Sequence, residues 1–378
     1  MDRDNATERF RRAGRSSLRT KEPGPVALLG LVLLTAVIFV LFICLFQNYF
    51  AKVVDFGDSE SYIRIASGIR HWNFDGLVPE QFWGLPYAMA AVSTTTTISD
   101  LAALLLVCLV SSFASVILAA RLWGGWVAAF FAVLNFDWMQ RSYLGGSEPL
   151  FVALIFASFL AVRRDHWPLA ALLAAFATVV RPLGIFCLLA IGLMLLLRRE
   201  FRRLALATAI GLAVGALYVL PMRLYFGSAL ANVHGYSPTG QLFGIPFYAI
   251  IKGTILYHSS WTNLVLTFGW IFFVLAGMLA MWLNKDYRQH ARQFPVEALF
   301  GVFYLISVFC YNYPYWARGT FPRFVIPVLP LILLALLRWI RKDRRLIWAL
   351  AVGSPLLAAA SAIGIANVAT ILRRVAHP

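Results

Sequence analysis

Residues 26–46, VALLGLVLLTAVIFVLFICLF, run from end to end without a charged or amide side chain. At 1.5 Å per residue, a helix of this length crosses the roughly 30 Å hydrocarbon core of a bilayer. Lipid offers a peptide group no hydrogen bonds, so such a run has to be helical. A membrane β-barrel would instead show short segments of alternating polarity, and the sequence has none. Residues 1–25, just before this run, are polar and rich in arginine, like the first part of a signal peptide. The run that follows spans a full bilayer and lacks a small-residue cleavage site, which predicts a retained first helix.

The rest of the chain repeats the pattern. Its 378 residues are 61% hydrophobic and 13% charged, and the mean hydropathy is +0.75. A soluble domain carries about a quarter of its residues as charges, so lipid is the solvent for most of this chain. Further apolar runs lie at about 99–120, 123–140, 147–162, 167–180, 183–197, 204–225, 262–283, 296–311, 324–340 and 346–366. The expected fold is all-α, a polytopic membrane protein of about eleven transmembrane helices. Its organisation is a basic cytoplasmic tail (1–25), one transmembrane domain (26–366) and a C-terminal tail (367–378). Arg181-Pro182 interrupts one long apolar stretch and predicts a bend between two short helices.

The formal net charge of +16 raises nucleic acid as a partner, but the distribution of charge excludes it. The basic residues form short clusters between apolar runs, with no basic stripe interleaved by aromatics. With the N-terminus inside, most of the 33 Lys and Arg fall in cytoplasmic loops, as at Arg163-Arg164, Arg198-Arg199 and Arg341-Lys342. The chain is therefore expected in a cell (inner) membrane with an external working face. Two outer segments, 47–98 and 226–261, are too long to be simple connections and are where function is expected.

Each outer segment predicts an amphipathic helix. In the first, Tyr62, Ile65, Ala66, Ile69 and Trp72 recur at helical spacing after a start near Asp58. The second, around Ile245 to Tyr257, contains Lys252, a further candidate for contact with a substrate. Within Asp55-Phe56-Gly57-Asp58-Ser59-Glu60-Ser61-Tyr62, Asp58 and Tyr62 share a helix face. A carboxylate there can accept a proton from an attacking hydroxyl; it can equally serve as a helix N-cap.

Other charged groups also stand at the expected outer boundary. Glu148 opens the fourth run after Gly145-Gly146-Ser147, where a carboxylate either meets the helix dipole or serves a site. Asp137 and Arg141, four residues apart, are expected to form a local ion pair. Arg181, Arg318 and Arg323 can clamp a phosphate by paired hydrogen bonds or reach out to lipid headgroups. The four cysteines lie singly in apolar runs, and no metal-ligand spacing occurs. Phosphate-loop, nucleophile-elbow and dinucleotide-binding motifs are absent.

The order of these features resembles the GT-C superfamily of integral-membrane glycosyltransferases. The similarity lies in a first helix followed by a large outer loop with an acidic helix start, here Asp58-x-x-x-Tyr62. Ser147-Glu148-Pro149-Leu150-Phe151 and Arg181-Pro182-Leu183-Gly184 resemble the glycosylphosphatidylinositol mannosyltransferase branch and its bacterial polyprenyl-phosphate-sugar relatives. Arg323-Phe324-Val325-Ile326-Pro327-Val328-Leu329-Pro330 is similar to the Arg-aromatic-x-x-Pro-x-x-Pro opening of a late helix. The resemblance covers about residues 26–340. It implies transfer of a hexose, such as mannose, from a polyprenyl-phosphate donor to a glycan, lipid or protein acceptor at the outer face. Asp58 is then the general base, and Asp55 or Glu148 holds acceptor or sugar hydroxyls. Arg181, Arg318 and Arg323 take the donor phosphate, and Tyr62 and Lys252 line the substrate site.

The chain departs from the family in having Asp55-x-x-Asp58 rather than a tight Asp-x-Asp pair. The resemblance therefore implies no metal site and no firm cofactor, and leaves divalent-metal use open. The chain also lacks the large soluble C-terminal domain of some members. The alternative reading is a transporter or flippase for a lipid-linked or other amphiphilic solute, which predicts charge near the bilayer midplane.

Overall fold

The computed structural model describes residues 22–46, 58–74, 76–77, 81–229, 231, 243–257, 261–312 and 321–376, the side chains of 257, 262, 263 and 364–376 excepted. Among the described residues every regular element is helical, apart from one isolated bridge between Phe243 and Tyr311. The first half comprises α1 (Pro25–Leu45), α2 (Asp58–His71), α3 (Gly84–Thr96), α4 (Asp100–Trp123), α5 (Gly125–Leu134), α6 (Phe136–Leu144), α7 (Glu148–Arg163) and α8 (Trp167–Val180). A 3-10 turn, Pro182–Gly184, leads into α9 (Ile185–Leu197), and α10 (Phe201–Phe226) and α11 (Tyr248–Tyr257) follow. The remainder comprises α12 (Trp261–Leu283), α13 (Lys285–Gln293), α14 (Pro295–Cys310), α15 (Phe321–Val325), α16 (Leu329–Leu336) and α17 (Arg344–Ala376).

Five helices are long and apolar enough to cross a membrane, and up to seven spans result if each of two bent pairs counts as one. The pairs are α6 with α7, bent by 106°, and α13 with α14, bent by 107°. The other runs expected to span correspond to shorter apolar helices, at Gly125–Leu134, Trp167–Val180, Pro182–Leu197 and Phe321–Leu336. Large apolar side chains face outward along these elements. Leu212, Leu217 and Leu224 on α10 and Trp282 on α12 are all well exposed, the reverse of a soluble protein and the arrangement lipid selects.

The interior is built where helices approach closely. α8 presents Ala170, Ala171, Ala174 and Ala177 as one buried stripe, and α4 buries Ser111, Ser112, Ser115 and Ala119. Small residues at this spacing let backbones approach, which supplies packing energy in a medium without a hydrophobic effect between helices. α7 lies between α4 and α8. Its Ser158 Oγ donates to the Ala170 carbonyl at 2.9 Å. Aromatic rings fill the wider gaps, as where Phe156 meets Trp123 edge-on.

Several boundaries differ from expectation. The run at 123–140 is two helices, α5 and α6, parted at Asn135. The Asn135 carboxamide oxygen accepts from the Trp138 amide, and its Nδ2 donates to the Pro322 carbonyl at 2.8 Å. The break is thus stabilised by a distant segment that local periodicity does not report. α3 lies within a segment read as loop: small residues and a run of threonines hide the helix in the sequence. Trp72, expected on the buried stripe of α2, follows the helix end with φ 53° and is 82% exposed. The C-terminal helix runs to Ala376, past the expected end at 366. The bend at Arg181-Pro182 is present: α8 stops at Val180, Arg181 is extended, and the 3-10 turn follows. The basic tail up to residue 21 lies outside the described residues.

Candidate functional site

Four side chains from distant parts of the sequence meet at one end of the bundle. Asp58 stands at the first position of α2, Glu148 at the first of α7, Arg181 just beyond α8 and Arg323 within α15. The turn between α6 and α7 brings the carboxylates together. Gly145 sits there at φ 98°, which an L side chain rarely adopts. A Cβ at that position would also meet the Leu104 side chain and come within 3.1 Å of Ser59 Oγ. Ser59 Oγ donates to the Leu144 carbonyl at 3.1 Å. The residue after Asp58 is therefore fastened to the turn that leads into Glu148.

Glu148 is the centre of the cluster. Its carboxylate is 1% exposed, and its Oε1 accepts from both Arg181 Nη1 and Arg323 Nε. Arg181 Nη1 also donates to Ser147 Oγ at 3.1 Å. A carboxylate buried this deeply persists only with opposite charge beside it, and two guanidinium groups supply that. Arg323 then reaches further, donating through Nη2 to Asp58 Oδ2 at 2.9 Å. Gln81 Nε2 donates to the other oxygen, Asp58 Oδ1, at 3.1 Å. Asp58 itself is 21% exposed, so of the two carboxylates it is the one an incoming group can reach. Burial pushes the Asp58 carboxyl up, but Arg323 and then Arg141 outweigh this and hold it below the ordinary 3.8.

Arg141 belongs to this cluster, and sequence reasoning assigned it elsewhere. Its Nη1 lies 3.9 Å from Asp58 Oδ2, while the expected ion pair with Asp137 is not formed among the described residues. Asp137 Oδ2, Arg141 Nε and Nη1, and Glu148 Oε2 are buried without a hydrogen-bond partner among the described residues. Spacing of four inside α6 suggested Asp137, whereas the tertiary packing around the Gly145 turn brings Arg141 to Asp58. Three arginines thus face two carboxylates within ion-pair distance. Tyr62, one turn after Asp58 and 2% exposed, lies within electrostatic reach of Arg181 and Arg323. Tyr304 of α14, also unassigned from the sequence, lies within reach of the same arginines.

An apolar cavity of about 390 Å³ lies along α14. Phe303, Ile306 and Cys310 of α14 line it, together with Phe186 of α9 and Phe243. Lys252 is exposed on α11, donating to Tyr248 Oη at 3.0 Å. Asp55 and Arg318 lie outside the described residues. Among the described residues no group of three or more His, Cys, Asp or Glu is placed to hold a metal ion.

The opposite end of the bundle carries a second polar knot. Arg163, at the last position of α7, pairs with Glu297 of α14 through Nε at 2.6 Å and Nη2 at 2.9 Å. Trp123 Nε1 of α4 donates to Glu297 Oε2 at 2.9 Å, and His290 Nε2 of α13 lies 3.2 Å from the same oxygen. Arg163 Nη1 donates to the Leu122 carbonyl at 2.8 Å. Its guanidinium also stacks 3.7 Å from the Phe294 ring centre. α7 separates the two knots by about 22 Å at 1.5 Å per residue.

No family model, curated protein or solved structure matches the chain.

Proposed function

We propose that this protein is a membrane glycosyltransferase that moves a hexose from a polyprenyl-phosphate donor to an acceptor hydroxyl at the external face of a cell membrane. The observation that carries the reading is the joining of Asp58, Glu148, Arg181 and Arg323 at one end of the bundle. Residue type and the resemblance to the GT-C superfamily single out all four. In this reading the four shorter apolar helices also cross the membrane. With the five long helices and the two bent pairs they bring the crossings to eleven, with the N-terminus cytoplasmic.

The chemistry follows from what each group offers. The acceptor oxygen attacks the anomeric carbon, and its proton passes to the Asp58 carboxylate. The bond from that carbon to the phosphate oxygen breaks, and its electron pair leaves with the polyprenyl phosphate. The negative charge on the leaving group is met by fixed guanidinium groups in a site partly closed to water, where they act most strongly. Glu148 holds Arg181 and Arg323 in place and is a positioning residue. One direct displacement inverts the anomeric configuration. The apolar cavity along α14, lined by Phe303, Ile306 and Cys310, suits isoprene units of the carrier.

The transporter reading finds less support. Alternating access needs both ends of the bundle to open, yet Arg163, Glu297, Trp123 and His290 tie four helices together at the second end. The test is to incubate purified protein with a panel of polyprenyl-phosphate sugars and acceptor glycans and measure polyprenyl-phosphate release. Release that depends on acceptor and on Asp58 supports the proposal. Absence of release across the panel, together with solute counterflow in proteoliposomes, replaces it with transport.

A further inference from the structure

We propose that Arg323 serves two anions in turn: Asp58 holds it in the resting protein, and the phosphate of an arriving donor draws it away, so that the base is released only once the donor is seated. The inference rests on the donor class proposed above and adds an order of events to it.

The geometry of one side chain carries the argument. Arg323 uses Nε on Glu148 and Nη2 on Asp58. The Nε contact goes to a carboxylate that is 1% exposed and shared with Arg181, so it is the fixed end. The Nη2 contact goes to a carboxylate that is 21% exposed, so it is the end that can exchange. In this state both Asp58 oxygens accept a hydrogen bond, from Arg323 and from Gln81. A carboxylate engaged in this way is a weak proton acceptor.

A phosphate arriving at the cluster meets Arg141, Arg181 and Arg323 beside Asp58 and Glu148, with Asp137 within electrostatic reach of Arg141 and Arg323. It presents several oxygens to a planar fork of donors and competes well with a single carboxylate oxygen. When Nη2 turns to phosphate, Asp58 keeps Arg141 at 3.9 Å and so remains ionised, but it loses its closest donor. The vacated lone pair is then open to a new donor, the acceptor hydroxyl. Donor binding is thereby coupled to base strength through one guanidinium, and the donor has to bind before the acceptor is activated.

The experiment measures undecaprenyl phosphate binding to the full-length protein in detergent. Undecaprenol serves as the uncharged lipid and inorganic phosphate as the anion without lipid. If Asp58 competes for Arg323, Asp58→Asn removes the competitor and binding tightens by about fivefold, the worth of a partly exposed ion pair. Asp58→Ser gives the same sign should the first variant fold poorly, and Arg323→Ala weakens binding. Gln81→Ala removes a neutral donor from Asp58 and leaves the affinity unchanged. Undecaprenol responds to none of these changes.

Native protein that binds the lipid phosphate, with Asp58→Asn equal or weaker, overturns the exchange while leaving the donor class intact. Equal tightening in Gln81→Ala also overturns it, because loosening of the site then explains the gain. Tightening seen with inorganic phosphate alone keeps the exchange and removes the lipid donor. Failure of every protein to bind any phosphate overturns both.

Discussion

Arg163 and Glu297 close one end of the bundle with two parallel contacts, Nε to Oε1 at 2.6 Å and Nη2 to Oε2 at 2.9 Å. Glu297 also accepts from Trp123, so its charge is shared among α4, α7 and α14. Removing one partner of such a pair leaves the other buried and uncompensated, at a cost of about 3–5 kcal/mol. Arg163→Ala and Glu297→Ala are therefore expected to lower the thermal midpoint of the detergent-solubilised protein markedly. The double variant is expected to lose less than the sum of the two. Additive losses would show that the two side chains act independently.

Asp58 carries the chemical reading. Asparagine at this position keeps the size and the ability to cap a helix but cannot accept the proton. Asp58→Asn is expected to express and fold normally while transfer falls by roughly two to four orders of magnitude. Asp55→Asn is the neighbouring control. Full turnover in Asp58→Asn with none in Asp55→Asn would move the base to Asp55, and full turnover in the double variant would end the carboxylate mechanism.

The pH dependence has a definite sign. In the free protein Asp58 is held below 3.8 because Arg323 and Arg141 outweigh burial. The acid limb of kcat/KM, which reports the free protein, is expected below about pH 4. Departure of Arg323 to the donor phosphate removes a lowering influence and leaves the raising effect of burial. The acid limb of kcat is therefore expected at higher pH than that of kcat/KM. Coincident limbs, measured under conditions where chemistry limits turnover, would count against the exchange.

Arg323 distinguishes phosphate binding from lipid anchoring. Arg323→Lys retains a point charge but not the fork that reaches Glu148 and Asp58 together. Arg323→Ala is expected to weaken use of the donor by more than tenfold and Arg323→Lys by less. Unchanged donor dependence in both variants would reduce this arginine to an interfacial anchor.

Orientation is tested by labelling. In a background lacking the exposed native Cys44, Thr96→Cys on α3 is expected to react with an impermeant maleimide in intact cells. Lys342→Cys is expected to react only after permeabilisation, because it lies in the most basic connection. The opposite pattern would invert the topology and place the Asp58 cluster inside.

The helical character of the chain is written in the runs themselves. The run expected at 167–180 coincides with α8, and the Arg181-Pro182 bend follows from the missing proline amide. The site was legible where charge is costly: Glu148, Arg181 and Arg323 stand out because an apolar boundary tolerates them only with partners. Arg141 was misassigned for a different reason. Spacing of four predicts a pair with Asp137 inside one helix, whereas the partner that matters is brought close by the Gly145 turn and by the Ser59–Leu144 bond. α3 escaped notice because nothing in its polarity separates a helix rich in small residues from a loop. Its burial comes from neighbours that local pattern does not encode.

A consequence follows from the way α7 is held. Its N-terminal carboxylate is clasped by Arg181 and Arg323, and its C-terminal guanidinium by Glu297. Both charges also suit the dipole of the helix that bears them. Ion pairs at both ends oppose sliding and rotation of α7 within the bundle. α2 is tied through Ser59 to the Leu144 carbonyl at the end of α6 and packs on α3 and α4. Asp58 is carried by α2, while Glu148, which holds the arginines, is carried by α7. In the proposed mechanism the base and the residue that positions the arginines therefore sit on different helices, linked through Arg323.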